Sequence, residues 1–341
     1  MFKIHYPSEY LLGDHRAEIF PLLKPFLKPD SFSNLNRIEM YGVSETDYSF
    51  VCKEDCDFII LPMSLNFYSR TKRRKEIQNY IKSTNKIIYA FMSGDIGVKW
   101  KLNKNLQVLR YNGYSTKGID RGLPVFIKDP FIEYNGFYVS QDNLKTSIGF
   151  CGQSNYSRIK MIKDKLRVSY RNMYNFFFNY YEKEKLFSSS YFRGRILERL
   201  QNPNELKTDF IQRIKYRAGA KTSEDRIAST QEYFQNIKDN LFTVCMRGGG
   251  NFSVRLYETM SMGRIPIYFH TDDHLPFKED VFWRENTIWI EESEINKSVD
   301  IIKTWIEINR NKLDEIAKNN RVFWNENLTM DGYFKRVFGE K

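Results

Sequence analysis

Cysteine is scarce in this chain: Cys52, Cys56, Cys151 and Cys245 are the only four in 341 residues. Only Cys52 and Cys56 are near each other, so the sequence holds no disulfide framework of the kind that staples small secreted domains. A metal site built on that pair would need two further ligands, which the neighbourhood lacks. Cys151 and Cys245 lie in apolar runs that read as buried strands, where a thiol packs as a small hydrophobe. Long apolar runs are missing as well. The best of them, such as residues 58–63, is strand-sized and far short of the ~20 residues that cross a bilayer as a helix. The opening MFKIHYPSEY has no basic region followed by a long apolar stretch, so no secretory leader is expected. The expected location is cytoplasmic, with peripheral membrane association left open. Low-complexity segments are also absent, which argues against long disordered regions.

The chain is well supplied with core-forming and basic residues. Hydrophobic residues make up 41% and aromatics 16% of the sequence, enough to build packed cores. A length of 341 residues, at about 150 per domain, suits two lobes. Lys and Arg number 53 against 42 Asp and Glu, a formal charge of +11 that would draw phosphates, acidic glycans, nucleic acid or an anionic membrane face. Two basic clusters stand out: Arg70, Lys72, Arg73, Arg74 and Lys75, then Arg158, Lys160, Lys163, Lys165 and Arg167. Each taken singly reads as a solvated helix face.

Short runs rich in β-branched and aromatic residues alternate with charged, helix-like stretches, the pattern of an α/β protein with parallel sheets. In the first half the strand candidates are residues 2–6, 58–63, 86–91 and 106–111, with a helix over 70–82. Glycine and proline punctuate residues 112–144, which read as loops and the passage between lobes. A second unit begins with a strand over 146–152 and a helix over 158–184. It continues with a helix over 223–240, a strand over 241–246, a helix over 253–262 and a strand over 265–269. Residues 295–319 predict another amphipathic helix, and 321–338 an aromatic-rich terminal one. The expected domains are residues 1–140, residues 141–320, and a terminal helix over 321–341 that packs back on the first lobe.

The chemistry concentrates in LFTVCMRGGGNFSVRLYETMSMGRIPIYFHTDDHLPF, residues 241–277. A buried strand ends at Met246. Arg247 and three glycines, Gly248, Gly249 and Gly250, then permit a tight turn whose amides approach a ligand closely. The following helix opens near Ser253 and turns its free N–H groups and positive dipole end to the same space, with Asn251 between. Arg247 and Arg255 flank that space, and a diphosphate is the ligand that suits glycine amides, a helix N-terminus and two guanidinium forks together. Glu258, about one turn into the helix, is placed to accept ribose hydroxyls. A bland alternative makes both arginines structural partners of Glu258. Gly152 and Arg158 form a second strand-to-helix turn that would face the donor phosphates, unless Arg158 only begins a solvated helix. His270, Asp272, Asp273 and His274 have short, metal-like spacing, but a loop that shapes the donor pocket is the preferred reading.

This run resembles the exostosin family, glycosyltransferase family 47. The resemblance rests on Arg247 and Gly248, Ser253 and Arg255, Glu258, Gly263 with Ile265 and Pro266, and Asp272, Asp273, Leu275, Pro276 and Phe277. Weaker echoes are CDFIILPMS, IIYAFMSGDIG and SIGFCGQ. It implies a GT-B arrangement of two facing Rossmann-like domains, the C-terminal one holding the nucleotide sugar. It also implies inversion at the anomeric carbon without an obligatory metal or other cofactor. The donor would be UDP- or GDP-linked and the acceptor an oligosaccharide or other glycan. Inversion needs a general base at the cleft to take the acceptor proton. Asp95, in the turn after the strand over 86–91, is the first choice because strand C-termini face the crevice in open α/β sheets. A helix-capping role for Asp95 competes with it. Asp14, beside His15, is the second candidate. The competing function class is a nucleic-acid-binding protein with a basic, aromatic-rich surface, although no nucleic-acid motif appears and none is expected as a partner.

Overall fold

The computed structural model describes residues 1–12, 14–27, 42–101, 103–114, 120–136, 147–154, 157–178, 181–201 and 206–339. The expected boundary near residue 140 lies outside them.

In the first lobe β1 (Phe2–His5), β2 (Tyr48–Phe50) and β3 (Phe58–Ile60) are followed by helices α1 (Leu65–Arg70) and α2 (Arg74–Lys82). Then come β4 (Ile88–Met92), β5 (Leu106–Arg110), β6 (Asp120–Gly122) and the short α3 (Pro130–Glu133). The second lobe opens with β7 (Ile148–Gln153), α4 (Arg158–Phe178), α5 (Ser189–Gln201), β8 (Thr208–Arg213) and α6 (Ser223–Asp239). It goes on with β9 (Phe242–Cys245), α7 (Val254–Ser261), β10 (Ile265–His270), α8 (Phe282–Asn286) and β11 (Ile288–Glu291). The chain closes with α9 (Ser298–Ile308), α10 (Leu313–Phe323) and α11 (Met330–Gly339).

Among the described residues the strands form one sheet of order β2-β1-β3-β4-β5-β6 and another of order β11-β10-β9-β7-β8. Every pairing within them is parallel. Counted from its own first strand, each sheet contains the order 2-1-3-4-5. Such sheets bind ligands beyond the strand C-termini, where the order reverses, which here falls between β1 and β3 and between β7 and β9. The expected pair of Rossmann-like α/β lobes is therefore present.

Each sheet has its own core. Ile59, Ile60, Phe91, Val108 and Leu109 anchor the first, and Phe150, Phe242, Val244, Ile267 and Ile290 the second. Helix α11 joins the first core through Met330, Tyr333, Phe334, Val337 and Phe338. The Tyr333 hydroxyl donates to the Gly122 carbonyl at 2.6 Å.

Several helix boundaries differ from expectation, each for a local reason. The helix expected over 70–82 is two: the Thr71 hydroxyl bonds back to the Phe67 carbonyl at 2.9 Å and Lys72 turns left-handed, with φ of 61°. The one expected over 158–184 stops at Phe178, and Tyr181 already bridges Val98. The one expected over 295–319 breaks at Arg310–Lys312 into α9 and α10. The terminal helix expected over 321–338 is the end of α10, a π-helical turn at Trp324–Leu328 and α11. Extended Thr329 forces that last break, and its hydroxyl accepts the Gly332 amide at 3.2 Å. Helix α6 starts with a capping box, Thr222 and Asp225 each accepting the other's backbone N–H.

Candidate active site

The C-terminal ends of β4, β5 and β9 lead into a cavity of about 320 Å³ between the lobes. The first lobe supplies Asp95, Ile96 and Tyr114, and the glycine turn after β9 supplies Arg247 and Gly249. Helix α4 and the strap after it complete the wall with Asp164, Arg167, Arg171, Glu184, Lys185 and Phe187, among others.

Arg247 is 8% exposed and has no carboxylate partner among the described residues. One terminal nitrogen donates to the Tyr114 hydroxyl at 3.1 Å, its guanidinium lies 4.4 Å from the Phe187 ring centroid, and its Nε is buried without a hydrogen bond. The other lining cations are differently placed, Arg167 being exposed. Arg171 makes two bonds to Glu184, at 2.8 and 2.7 Å, and Lys185 pairs with Asp272 at 2.8 Å. Asp164 accepts the Ser188 hydroxyl at 2.6 Å. Arg247 is thus a buried cation suited to an anion that enters from outside.

The glycine turn works by space rather than by left-handed backbone, since none of Gly248, Gly249 and Gly250 has a positive φ. A Cβ on Gly250 would stand 2.8 Å from an Asp95 carboxylate oxygen and 2.6 Å from the Phe252 ring, and one on Gly249 would stand 3.4 Å from Asp95. Glycine lets the two lobes' turns meet at van der Waals distance. The Gly248 amide is used internally, donating to the Phe252 carbonyl at 2.9 Å, which corrects the expectation that it faces a ligand. Asn251 is a second correction. Its side chain donates to the Gly113 and Thr271 carbonyls at 2.8 and 2.9 Å and accepts the Thr271 hydroxyl at 2.7 Å. Its amide donates to Asn112 at 2.8 Å. Asn251 fastens the lobes together, with its backbone and side-chain N–H donors all spent within the chain.

Arg255 lies over the end of β7, donating to the Cys151 carbonyl at 2.7 Å, with Gly152 bare beneath it: a Cβ there would be 2.7 Å from the guanidinium. It makes no ion pair with Glu258 among the described residues. Glu258 instead accepts the Tyr233 hydroxyl. Burial raises the Glu258 carboxyl above its ordinary range, against the opposing pull of Tyr233 and Arg255. Ser253 sits at the N-cap of α7, buried, with its hydroxyl unpartnered. Gly152, Ser253, Arg255 and Glu258 lie toward the β7/β9 reversal point and are not part of the cavity's lining.

Sequence reasoning missed Arg193, on α5. Its Nε donates to the carbonyl of Ser189, itself part of the cavity wall, at 3.3 Å. Burial and the like charge of Arg255 push Arg193 down to about 10. Nothing in local spacing marks it, because it lies on a helix remote in sequence from the glycine turn.

Other expected residues stand apart. Arg158 is exposed at the start of α4, outside the cavity, and reads as the solvated helix opening. Asp14 is exposed and also lies outside the cavity. Near Asp14 in sequence, Glu18 does reach the strand ends of the first lobe, where it accepts the Ser64 and Ser93 hydroxyls at 2.5 Å each and Arg70 at 3.0 Å. Burial alone would raise its pKa, but those donors prevail and hold it low. By gripping Ser93, Glu18 steadies the turn that carries Asp95.

The 272–274 loop is strained at Asp272, whose φ is 55°. Its acids are engaged separately, Asp272 by Lys185 and Asp273 by the Tyr268 hydroxyl. Burial and the nearby Arg110 push His274 down to about 4. Among the described residues no group of three or more His, Cys, Asp or Glu comes together as a metal cage.

Two parallel-sheet lobes with a cavity between them, and a buried arginine in its wall that has no carboxylate partner among the described residues, define a two-lobed α/β protein. Residues 179–305 match the Exostosin GT47 domain, so this part of the chain is exostosin-like, similar to a glycosyltransferase domain. Two probable glucuronosyltransferases of Oryza sativa subsp. japonica are 29% and 28% identical over 96 residues, which is 28% of this chain. The match spans 21% of each relative's length. Among solved structures, TarM aligns over 83% of this chain and 55% of its own, with 11% identity and a TM-score of 0.35. WaaG, a glycosyltransferase involved in lipopolysaccharide biosynthesis, aligns over 99% and 100%, with 9% identity and a TM-score of 0.32. The two-lobed architecture rests on the sheets themselves. The nucleic-acid reading is not favoured by these relatives.

Proposed function

We propose that this chain is a glycosyltransferase that moves a sugar from a UDP- or GDP-linked donor to a glycan hydroxyl, with inversion and without an obligatory metal. The donor lies against the second lobe, its diphosphate met by Arg247, Arg193 and Arg255 and its ribose by Glu258. Asp95 takes the proton of the acceptor hydroxyl while that oxygen attacks the anomeric carbon and the bond to the diphosphate breaks. The guanidinium groups supply the positive charge that the leaving diphosphate requires.

One observation carries this reading: a buried arginine without a carboxylate, Arg247, shares a cavity with the first-lobe carboxylate Asp95. The test is a thermal-shift screen against UDP- and GDP-sugars, starting with glucuronate donors because of the relatives' names. A ligand that binds the folded state raises the melting temperature. A rise with sugar nucleotides, larger than with the free sugars, supports the proposal; no rise with any of them at millimolar concentration contradicts it.

A further inference from the structure

Helix α4 is built inside out. Its inward face carries Asp164, Arg171, Asn172 and Asn175. That face is laced to the strap that follows: Asn172 exchanges two hydrogen bonds with the Glu184 backbone at 2.8 and 3.0 Å, beside the Arg171–Glu184 and Asp164–Ser188 bonds. Its outward face is apolar. Ile159, Ile162, Leu166, Tyr170, Met173 and Phe177 recur at the three- and four-residue spacing of one helical stripe, and all are exposed, Leu166 at 64% and Phe177 at 73%. A stripe of this kind over 21 residues is far more than the scattered single apolar residues found on ordinary surfaces.

The helix's own charges beside the stripe are of one sign. Arg158, Lys163 and Lys165 are exposed, while Arg167 and the helix's only acid, Asp164, belong to the cavity wall. Basic residues beside an apolar stripe complement an anionic lipid surface, where the helix lies in the interface with its apolar side among the acyl chains. An identical basic face would repel a second copy. No helix among the described residues is long and apolar enough to cross a membrane.

We infer that α4 docks this protein onto anionic membrane surfaces. Because the opposite side of α4 forms a wall of the interlobe cavity, docking would set the cavity close to the lipid headgroups. The inference stands apart from the glycosyltransferase reading, and its test uses no sugar nucleotide.

The full chain is floated with vesicles of phosphatidylcholine alone and of phosphatidylcholine mixed with phosphatidylglycerol. Binding is expected to the anionic vesicles only, and to weaken as salt rises from ~0.1 to ~0.5 M. Leu166→Asp with Met173→Asp is expected to abolish it. Lys163→Glu with Lys165→Glu is expected to weaken it by at least about 20-fold, at ~5-fold per basic residue near the surface. Both variants alter exposed side chains, and unchanged thermal melts verify their folding. The inference is overturned by failure to bind anionic vesicles, or by equal binding of the Leu166/Met173 variant. A dimer that this variant dissociates, without lipid binding, would show that a second copy covers the stripe and would overturn it as well.

Discussion

Arg110 holds Glu182 in a two-point grip, donating at 2.7 and 2.5 Å to its two carboxylate oxygens across the lobe boundary. Arg110 is 2% exposed at the end of β5, while Glu182 belongs to the strap that carries Lys185 and Phe187 into the cavity wall. The Glu182 amide also donates to the Gly97 carbonyl at 2.9 Å. Removing the acid leaves a buried guanidinium with Asp120, at 3.0 Å, as its one charged partner among the described residues. We expect Glu182→Ala to cost about 3 kcal/mol in urea unfolding, with Glu182→Gln intermediate. A cost under about 0.5 kcal/mol, the level of an ordinary surface substitution, would show that the grip contributes nothing.

Asp95 yields a separable expectation. Asp95→Asn should lower kcat by about 10²- to 10⁴-fold and leave donor affinity unchanged, since Asp95 is assigned to the acceptor proton. Gly250→Ala should also lower kcat, because its methyl would meet the Asp95 carboxylate at 2.8 Å. Steady-state kinetics with calorimetry on the same variants checks both. Loss of donor affinity in Asp95→Asn would move Asp95 to the donor site.

Tyr233 and Glu258 share a hydrogen bond that a ribose hydroxyl would join or replace. Glu258→Gln should weaken binding of a sugar nucleotide and of its parent nucleoside alike, by about 10-fold, the worth of one hydrogen bond to a charged group. Unchanged nucleoside affinity would remove Glu258 from the ribose role.

Acid should unfold the second lobe partly through Glu291. Burial would raise its carboxyl, but hydrogen bonds from His270, Trp289 and Arg284 outweigh burial and bring it down to about 2. A carboxyl depressed by folding adds stability that is complete above its unfolded value, near 4.3, and is lost as pH falls toward the folded one. Melting temperatures between pH 5 and pH 2 should therefore fall less steeply for Glu291→Gln than for the unaltered chain. Parallel curves would contradict the assignment.

Much of this was legible in the sequence, and the failures have physical causes. The strands that carry the core, β3, β4, β5, β7, β9 and β10, announce themselves as apolar runs because both of their faces are buried. β8 does not, since an edge strand with half-exposed and exposed positions carries no such run, and β2 and β6 are three residues each. Helix α4 shows helical periodicity, yet periodicity says nothing about which face turns inward, and here it is the polar one. At the site, the cluster from Arg247 to Glu258 was visible because its spacing is local. Arg193 and Tyr233 were not, because only the meeting of α5, α6 and α7 at the β7/β9 reversal brings them in. Asn251 looked like a ligand because a polar residue in a glycine turn resembles one; its partners in Asn112, Gly113 and Thr271 exist only in the folded chain.

The most direct test of the central claim is calorimetric titration of the unaltered chain and of Arg247→Ala with a nucleoside diphosphate and with the corresponding nucleoside. If Arg247 meets the diphosphate, the variant should keep its melting temperature and its nucleoside affinity while losing about 10- to 100-fold in affinity for the diphosphate, the worth of one or two charge-assisted hydrogen bonds. Equal diphosphate affinity in the two proteins would contradict the account.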